Sequence, residues 1–441
     1  MSMARARTHL PPTAPSGRQP PLPTDPIWLS ALLALGFLAL CMVRLTIPSQ
    51  PFFDEVHYLP PARAMLDLSY PLNQEHPPLG KELIALGMAI VGDRPLGWRI
   101  MSALAGALAL FAAMRALWFA SLSRGAALGG GLLLATGFPL FVQSRIAMLD
   151  IFMAAFLLVA LWLCAGAARL QSGGRWRLAL AGVALGCAMA SKWNAIPLAM
   201  LPGLAFLAIR IGAAGPRFLT TRRGPPVEGI SLAEAAVWLG LVPLAVYLAC
   251  FWPFLLYRDG SVAPWGLFGL QGRMLDMQTQ ALAPHNYQSV WYHWLGNWRA
   301  IWYLYEEVDG AQRGVLLIGN PLTMLLGLPA LLWCAWAGLF RRRWDALAVA
   351  VLFAASLGLW VVAAKNVQFY YHYFLPSCFL LAALALALDA LWRRGRGWKA
   401  AVLACYAGAT AMFVHFWPIM TAAQLEGSRA FEHWMWLSSW R

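Results

Sequence analysis

The stretch Ala147-Met-Leu-Asp-Ile-Phe-Met-Ala-Ala-Phe-Leu-Leu-Val-Ala-Leu-Trp-Leu-Cys-Ala-Gly-Ala-Ala168 carries a single charged residue, Asp150. A helix needs about 20 apolar residues to cross the hydrocarbon core of a bilayer, and this run supplies them. The segment 29–43 comes close to the same length without a charge. Over all 441 residues, 60% are hydrophobic and 12% charged, with a mean hydropathy of +0.60. A soluble protein would carry about 25% charged residues. The apolar runs are continuous rather than alternating, which argues against a membrane β-barrel. The sequence therefore predicts an all-α polytopic membrane protein with about eleven spans. They fall near residues 27–47, 98–120, 124–143, 147–168, 178–190, 194–210, 233–254, 314–340, 344–363, 368–391 and 398–418.

The net charge of +14 would suit nucleic acid, but its distribution gives a different reading. With the N-terminus in the cytoplasm, the excess positive charge gathers in short cytoplasmic segments such as Arg341, Arg342 and Arg343, or Arg393, Arg394 and Arg396. That is the bias that orients membrane proteins, and it calls for no nucleic acid. Residues 1–26, rich in proline and arginine, read as a disordered cytoplasmic tail followed by a retained first span. The domain of interest then runs over 27–418, and 419–441 forms a tail on the outer face. The seven cysteines lie in or beside apolar spans without ligand spacing and read as packing residues.

Against this apolar background, 52–81 stands out as dense in polar groups. It begins Phe52-Phe-Asp-Glu-Val-His-Tyr58 and ends Glu75-His-Pro-Pro-Leu-Gly-Lys81. Charge counting puts it in an outer loop, 48–97. Ionisable groups clustered beside spans point to chemistry. Asp54 and Glu55 sit among Phe52, Phe53, Val56 and Tyr58, so a partly dry carboxylate there could serve as a base near neutrality. Pro77-Pro78 predicts the start of a short helix whose N-terminal end, with Lys81, suits an anion. Arg145 and Lys192 fall at the same membrane level, and Arg and Lys are the usual phosphate binders. A bland reading remains for each: solvated loop acids, an Arg145 paired with Asp150, a snorkelling Lys192. His57 and His76 could join the two acids in a metal site, though their spacing is not that of a tight ligand set. In the second large outer segment, 255–313, Trp291, Trp294, Trp298, Trp302 and Tyr305 recur at helical steps. That spacing predicts an interfacial helix with an aromatic face. No Gly-x-x-x-x-Gly-Lys-Ser/Thr element and no nucleotide-binding domain is present, so ATP-driven transport and a sugar-nucleotide donor both lack support.

Several motifs together carry a resemblance. Phe53-Asp-Glu-Val-His57, His76-Pro-Pro-Leu-Gly-Lys81, Ser144-Arg-Ile-Ala-Met-Leu-Asp150, Ser191-Lys-Trp193, His285-Asn-Tyr-Gln-Ser289, Gly319-Asn-Pro321 and Tyr370-Tyr-His-Tyr-Phe-Leu-Pro376 occur in the order seen in protein O-mannosyltransferases. The match covers about 50–380 and resembles bacterial members. Segment 255–313 is too short for the β-trefoil module of eukaryotic ones. The resemblance implies a GT-C glycosyltransferase of a bacterial inner membrane. Such an enzyme moves a mannose-type sugar from a polyprenyl-phosphate donor to Ser or Thr hydroxyls of exported proteins on the outer face. It implies catalytic roles for Asp54 and Glu55. Donor-phosphate or substrate contacts fall to His76, Lys81, Arg145, Asp150, Lys192, Tyr371 and His372. The phosphate is itself a good leaving group, so no metal or other cofactor is chemically required. Related GT-C enzymes that move aminoarabinose to lipid A make a lipid acceptor the alternative, and a lipid transporter is the rival from another class.

Overall fold

The computed structural model describes residues 23–281, 283–363 and 365–441, so most of the expected 1–26 tail lies outside the described residues. After α1 (Ile27–Met42) come two short helices that pack on each other, α2 (Glu55–Leu66) and α3 (Leu79–Val91), with α3 also against the next helix. Helix α3 starts directly after Pro77-Pro78, as expected, because proline fits a first helical turn. The chain then runs through α4 (Pro95–Ser121), α5 (Arg124–Thr136), α6 (Pro139–Gln143), α7 (Leu149–Arg169), α8 (Gly174–Ser191) and α9 (Ile196–Ala214). Ser123 caps α5 by accepting the Ala126 N–H at 3.2 Å. A broken helix follows: α10 (Leu232–Ala236), a π turn over Val237–Leu241, α11 (Val242–Ala249) and α12 (Trp252–Leu256). Next come α13 (Gly266–Gln278), α14 (Trp291–Leu295), and strands β1 (Ile301–Val308) and β2 (Ala311–Leu317). The chain closes with α15 (Pro321–Arg341), α16 (Trp344–Val362), α17 (Phe374–Trp392) and α18 (Arg396–Met420).

Among the described residues, 8 helical segments are long and apolar enough to cross a membrane. The other three predicted spans fall on α1 with 16 residues, on α5 with 13 followed by α6, and on α8, which opens with Arg175 and Arg177. Helix α17 forms the middle of the bundle. Its apolar window is 78% buried, those of α4 and α7 are 61% buried, and those of α9, the α10–α12 run and α18 only 28%. Close approach requires small residues here: a Cβ added to Gly106 of α4 would collide with Ser144 Oγ.

The aromatic helix expected across 291–305 does not form, and the fold is not wholly α-helical. Only Trp291–Leu295 is helical; Trp302 and Tyr305 lie on β1. The chain reverses at Asp309-Gly310, both at positive φ (51° and 73°), with Val308 opposite Ala311. Two residues of this type with left-handed backbone make a type I′ hairpin turn. The Ile-Trp-Tyr-Leu-Tyr run before it has the β-branched and aromatic content of a strand. The predicted span 314–340 accordingly begins later, at Pro321, because its first residues belong to β2. The segment 419–441 also folds back. Leu425 N–H bonds the Gln312 carbonyl at 2.9 Å, and Trp440 Nε1 donates to the Asn297 carbonyl at 2.8 Å.

Candidate active site

The site lies at the loop-rich end, where α2, the segments before α3 and α7, the α8–α9 break and the segment between α16 and α17 converge. Its frame is a buried ion pair. Arg99 of α4 meets Glu55 side-on, Nε to Oε1 at 2.7 Å and Nη2 to Oε2 at 2.8 Å, with both side chains fully buried. Arg99 also donates to the carbonyls of Leu45, Pro48 and Gln50 at 3.1, 2.7 and 3.1 Å. All five guanidinium N–H groups are thereby used. Glu55 in turn accepts the N–H groups of Ala147 at 3.0 Å and Phe52 at 3.3 Å. This carboxylate, for which the resemblance implies a catalytic role, is thereby saturated by four donors and buried.

Asp54 is the residue that this frame presents. It occupies the N-cap of α2, yet its side chain makes no capping bond. An aspartate there would ordinarily accept a backbone N–H of the first turn. The preceding Phe53 is held at φ 49°, a conformation costly for a bulky side chain. Phe53 stacks on Tyr303, centroids 4.0 Å apart, and meets Tyr371 edge-on at 6.0 Å. Burial pushes the Asp54 carboxyl up to about 6; Lys192 pulls against this and Asp150 adds to it.

Beside Asp54, Lys192 sits where α8 gives way to a short turn, with extended backbone (φ −160°, ψ 136°). Its Nζ bonds Asp150 Oδ2 at 2.7 Å in a buried pair and lies 5.3 Å from the centre of the Tyr371 ring. Asp150 belongs to the first turn of α7. Next to them, His372 rests on Trp360 at 3.8 Å, and its Nδ1 accepts the Phe369 N–H at 2.9 Å. A narrow cleft is lined by Asp150, Asn194, Trp360, Tyr371 and His372. His76 joins from the other side: Gln278 Nε2 lies 3.0 Å from its Nδ1 and also donates to the Glu75 carbonyl at 2.7 Å. With Nδ1 as acceptor, Nε2 carries the proton. Burial, reinforced by Lys192, Lys81 and Lys365, holds the His76 imidazole well below its ordinary range, so it is neutral.

Two predicted phosphate ligands have carbonyl partners within the fold. Arg145 Nη1 donates to the carbonyls of Cys41 and Val43 at 2.5 and 2.6 Å, and Nη2 to that of Arg44 at 3.3 Å. It thus ties down the turn that follows α1. Lys81 is fully buried and donates to the carbonyls of Asn73 and His76 at 2.5 and 2.8 Å, shaping the loop before α3. Sequence reasoning missed Lys365, on the short link between α16 and α17. Its ammonium feels Lys192, Asp150, Asp54 and Glu75, and burial first, then Lys192, holds it below the usual lysine range. The predicted spans 344–363 and 368–391 do place it at the outer level, but a lone loop lysine forms no motif. Among the described residues, no group of three or more His, Cys, Asp and Glu gathers as metal ligands would.

Comparison with known proteins gives the family of the chain. A family model described as dolichyl-phosphate-mannose-protein mannosyltransferase matches residues 94–256. A second, described as the C-terminal four-transmembrane region of protein-O-mannosyltransferase, matches 266–440. A polyprenol-phosphate-mannose–protein mannosyltransferase of Mycolicibacterium smegmatis is 28% identical, covering 89% of this chain and 88% of its own. That of Corynebacterium glutamicum is 27% identical, covering 98% and 96%. In fold, the chain is similar to the S. cerevisiae protein O-mannosyltransferase Pmt1-Pmt2 complex bound to the sugar donor, with a TM-score of 0.81 at 15% identity over 95% of this chain and 93% of the other. It is less similar to ArnT from Cupriavidus metallidurans bound to undecaprenyl phosphate, with a TM-score of 0.55 at 16% identity over 93% and 78%. Matched along nearly its whole length beyond residue 94, the chain belongs to the protein O-mannosyltransferase family, with the GT-C fold.

Proposed function

We propose that this protein transfers a mannose-type sugar from a polyprenyl-phosphate donor to Ser or Thr hydroxyls of exported proteins, at the extracytoplasmic face of a bacterial inner membrane. The observation that carries the reading is the uncapped Asp54 carboxyl, raised to about 6 and set beside Lys192 and Lys365. The family and the printed names of the bacterial relatives support the donor and the protein acceptor. Positive charge concentrated at the opposite end supports the orientation.

Asp54 accepts the proton of the acceptor hydroxyl as its oxygen attacks the anomeric carbon. The carbon–oxygen bond to phosphate breaks, its electron pair leaves on the phosphate, and the anomeric centre inverts. The negative charge that builds on the leaving phosphate is met by Lys365, by Lys192 shared with Asp150, and by the Nε2–H of neutral His76. Donors fixed before the reaction stabilise such charge without reorganisation. Glu55, Arg145 and Lys81 act indirectly, by holding the segments that carry these groups.

Purified protein given labelled polyprenyl-phosphate mannose should label a Ser/Thr peptide and not lipid A. Labelling of lipid A alone would transfer the reading to a lipid acceptor, and movement of lipid without sugar transfer would replace it with transport. Lys365→Ala should lower kcat/KM for the donor roughly 10- to 100-fold, the scale of a lost charge-assisted hydrogen bond of about 1.5–3 kcal/mol. Unchanged donor kinetics in that variant would take Lys365 out of the phosphate site.

A further inference from the structure

Gln143 ends α6 and is fully buried, yet neither its amide nitrogen nor its amide oxygen has a hydrogen-bond partner. Among the described residues it is the one buried amide left open at both ends. Tyr303 of β1 is 4% exposed, and its hydroxyl also lacks a partner. The two side chains lie against each other, the Gln143 amide approaching the Tyr303 hydroxyl, and neither has a further partner. Buried polar groups are nearly always paired, so two adjoining exceptions require a reason.

Their surroundings supply one. Tyr303 is the ring on which Phe53 stacks, directly before Asp54. Burial, followed by the charges of Asp150 and Asp54, keeps its phenol protonated, so it is a neutral donor. Gln143 is followed by Ser144 and Arg145, and Ala147 of the same segment donates to Glu55. Both groups are therefore fixed by the frame that positions Asp54. Neither is charged. The anionic part of a donor has Lys192, Lys365 and His76 to meet it, whereas Gln143 and Tyr303 offer two amide donors, amide and phenol acceptors and one hydroxyl donor to something uncharged. Aromatic faces at Phe53, Tyr303 and Tyr371 suit the C–H faces of a pyranose ring.

We propose that Gln143 and Tyr303 bind hydroxyl groups of the transferred hexose and so set which sugar is accepted. The proposal rests on the donor reading given under the proposed function. A pocket built to hydrogen-bond a hydroxyl discriminates against an analogue lacking it, because its own buried groups then stay unpaired.

The test compares polyprenyl-phosphate mannose with each of its monodeoxy counterparts in peptide transfer by the full-length purified protein. The wild type should disfavour at least one monodeoxy donor by about 10-fold or more in kcat/KM. In Gln143→Leu, and separately in Tyr303→Phe, that discrimination should shrink toward unity for the hydroxyl each residue binds. Tyr303→Phe keeps the ring and its stacking on Phe53, so it serves even where Gln143→Leu fails to fold. Wild-type discrimination retained by both variants, or a wild type indifferent to every deoxy donor, would overturn the proposal while leaving sugar transfer standing. A wild type that moves no mannose from this donor would instead overturn the reading on which the proposal rests.

Discussion

Asp54→Asn should reduce peptide mannosylation by about 10²–10⁴-fold, the range that a positioned general base contributes. The substitution is nearly isosteric and removes only the ability to accept a proton. Binding of polyprenyl phosphate, which involves Lys192, Lys365 and His76, should change little. The pH dependence adds a second signature. With the folded carboxyl at about 6, wild-type kcat/KM should fall as pH drops through 6 and level off above it, while the residual rate of the Asn variant should lack that limb. Stability gives a third, with the opposite sign to the loss of activity. The folded value lies above the usual carboxylate range, so the folded state prefers the protonated form. Below about pH 4 both states hold the proton and the aspartate has no cost. Its cost grows as pH rises to about 6 and stays constant beyond. Asp54→Asn should therefore leave the thermal midpoint at neutral pH unchanged or raised. Wild-type turnover in the variant, or lost turnover accompanied by a lowered midpoint, would remove Asp54 from the role of base.

How far the site could be read from sequence depends on the range of the interaction that decides each residue. Spans are local: about 20 apolar residues speak for themselves, and most predicted segments meet a helix. Asp54 stands out as a candidate in sequence because it is a carboxylate among aromatics beside a span, although a solvated loop acid reads the same way. Glu55 is next to it and looks the same. What separates them is Arg99 in α4, to which nothing near residue 55 points. Arg145 and Lys81 likewise read as free cations until the carbonyls of Cys41, Val43, Asn73 and His76 are found against them. Lys365 reverses this: bland in sequence, it is brought to the cluster by packing of α16 and α17. The hairpin escapes a sequence reading for another reason. Steps of three and four residues among aromatics imitate a helix, and Asp309-Gly310, the turn that contradicts it, carries the stronger signal. Gln143 and Tyr303 carry no charge at all, so only their unpaired burial reveals them.

The largest effect on stability should follow from breaking the pair that holds Asp54 in place. In Arg99→Leu, the Glu55 carboxylate would stay buried with two backbone N–H groups and no counter-charge, and the carbonyls of Leu45, Pro48 and Gln50 would lose their donor. Removing one partner of a buried ion pair costs about 3–5 kcal/mol. The thermal midpoint should drop sharply, and segment 45–54 should become the first part of the molecule to open to proteolysis. Glu55→Gln is the more discriminating change. It leaves a neutral side chain that still accepts hydrogen bonds from Arg99 and Ala147, so stability should fall by less than in Arg99→Leu. Transfer should weaken in step, because Asp54 loses its fixed position rather than its chemistry. The acid limb near pH 6 should persist in the residual rate, since the group that titrates is still present. Were Glu55 the base, Glu55→Gln would abolish that limb with the fold intact, and Asp54→Asn would retain it. The two pH profiles, measured side by side with the two thermal midpoints, assign the proton to one carboxylate and the scaffold to the other.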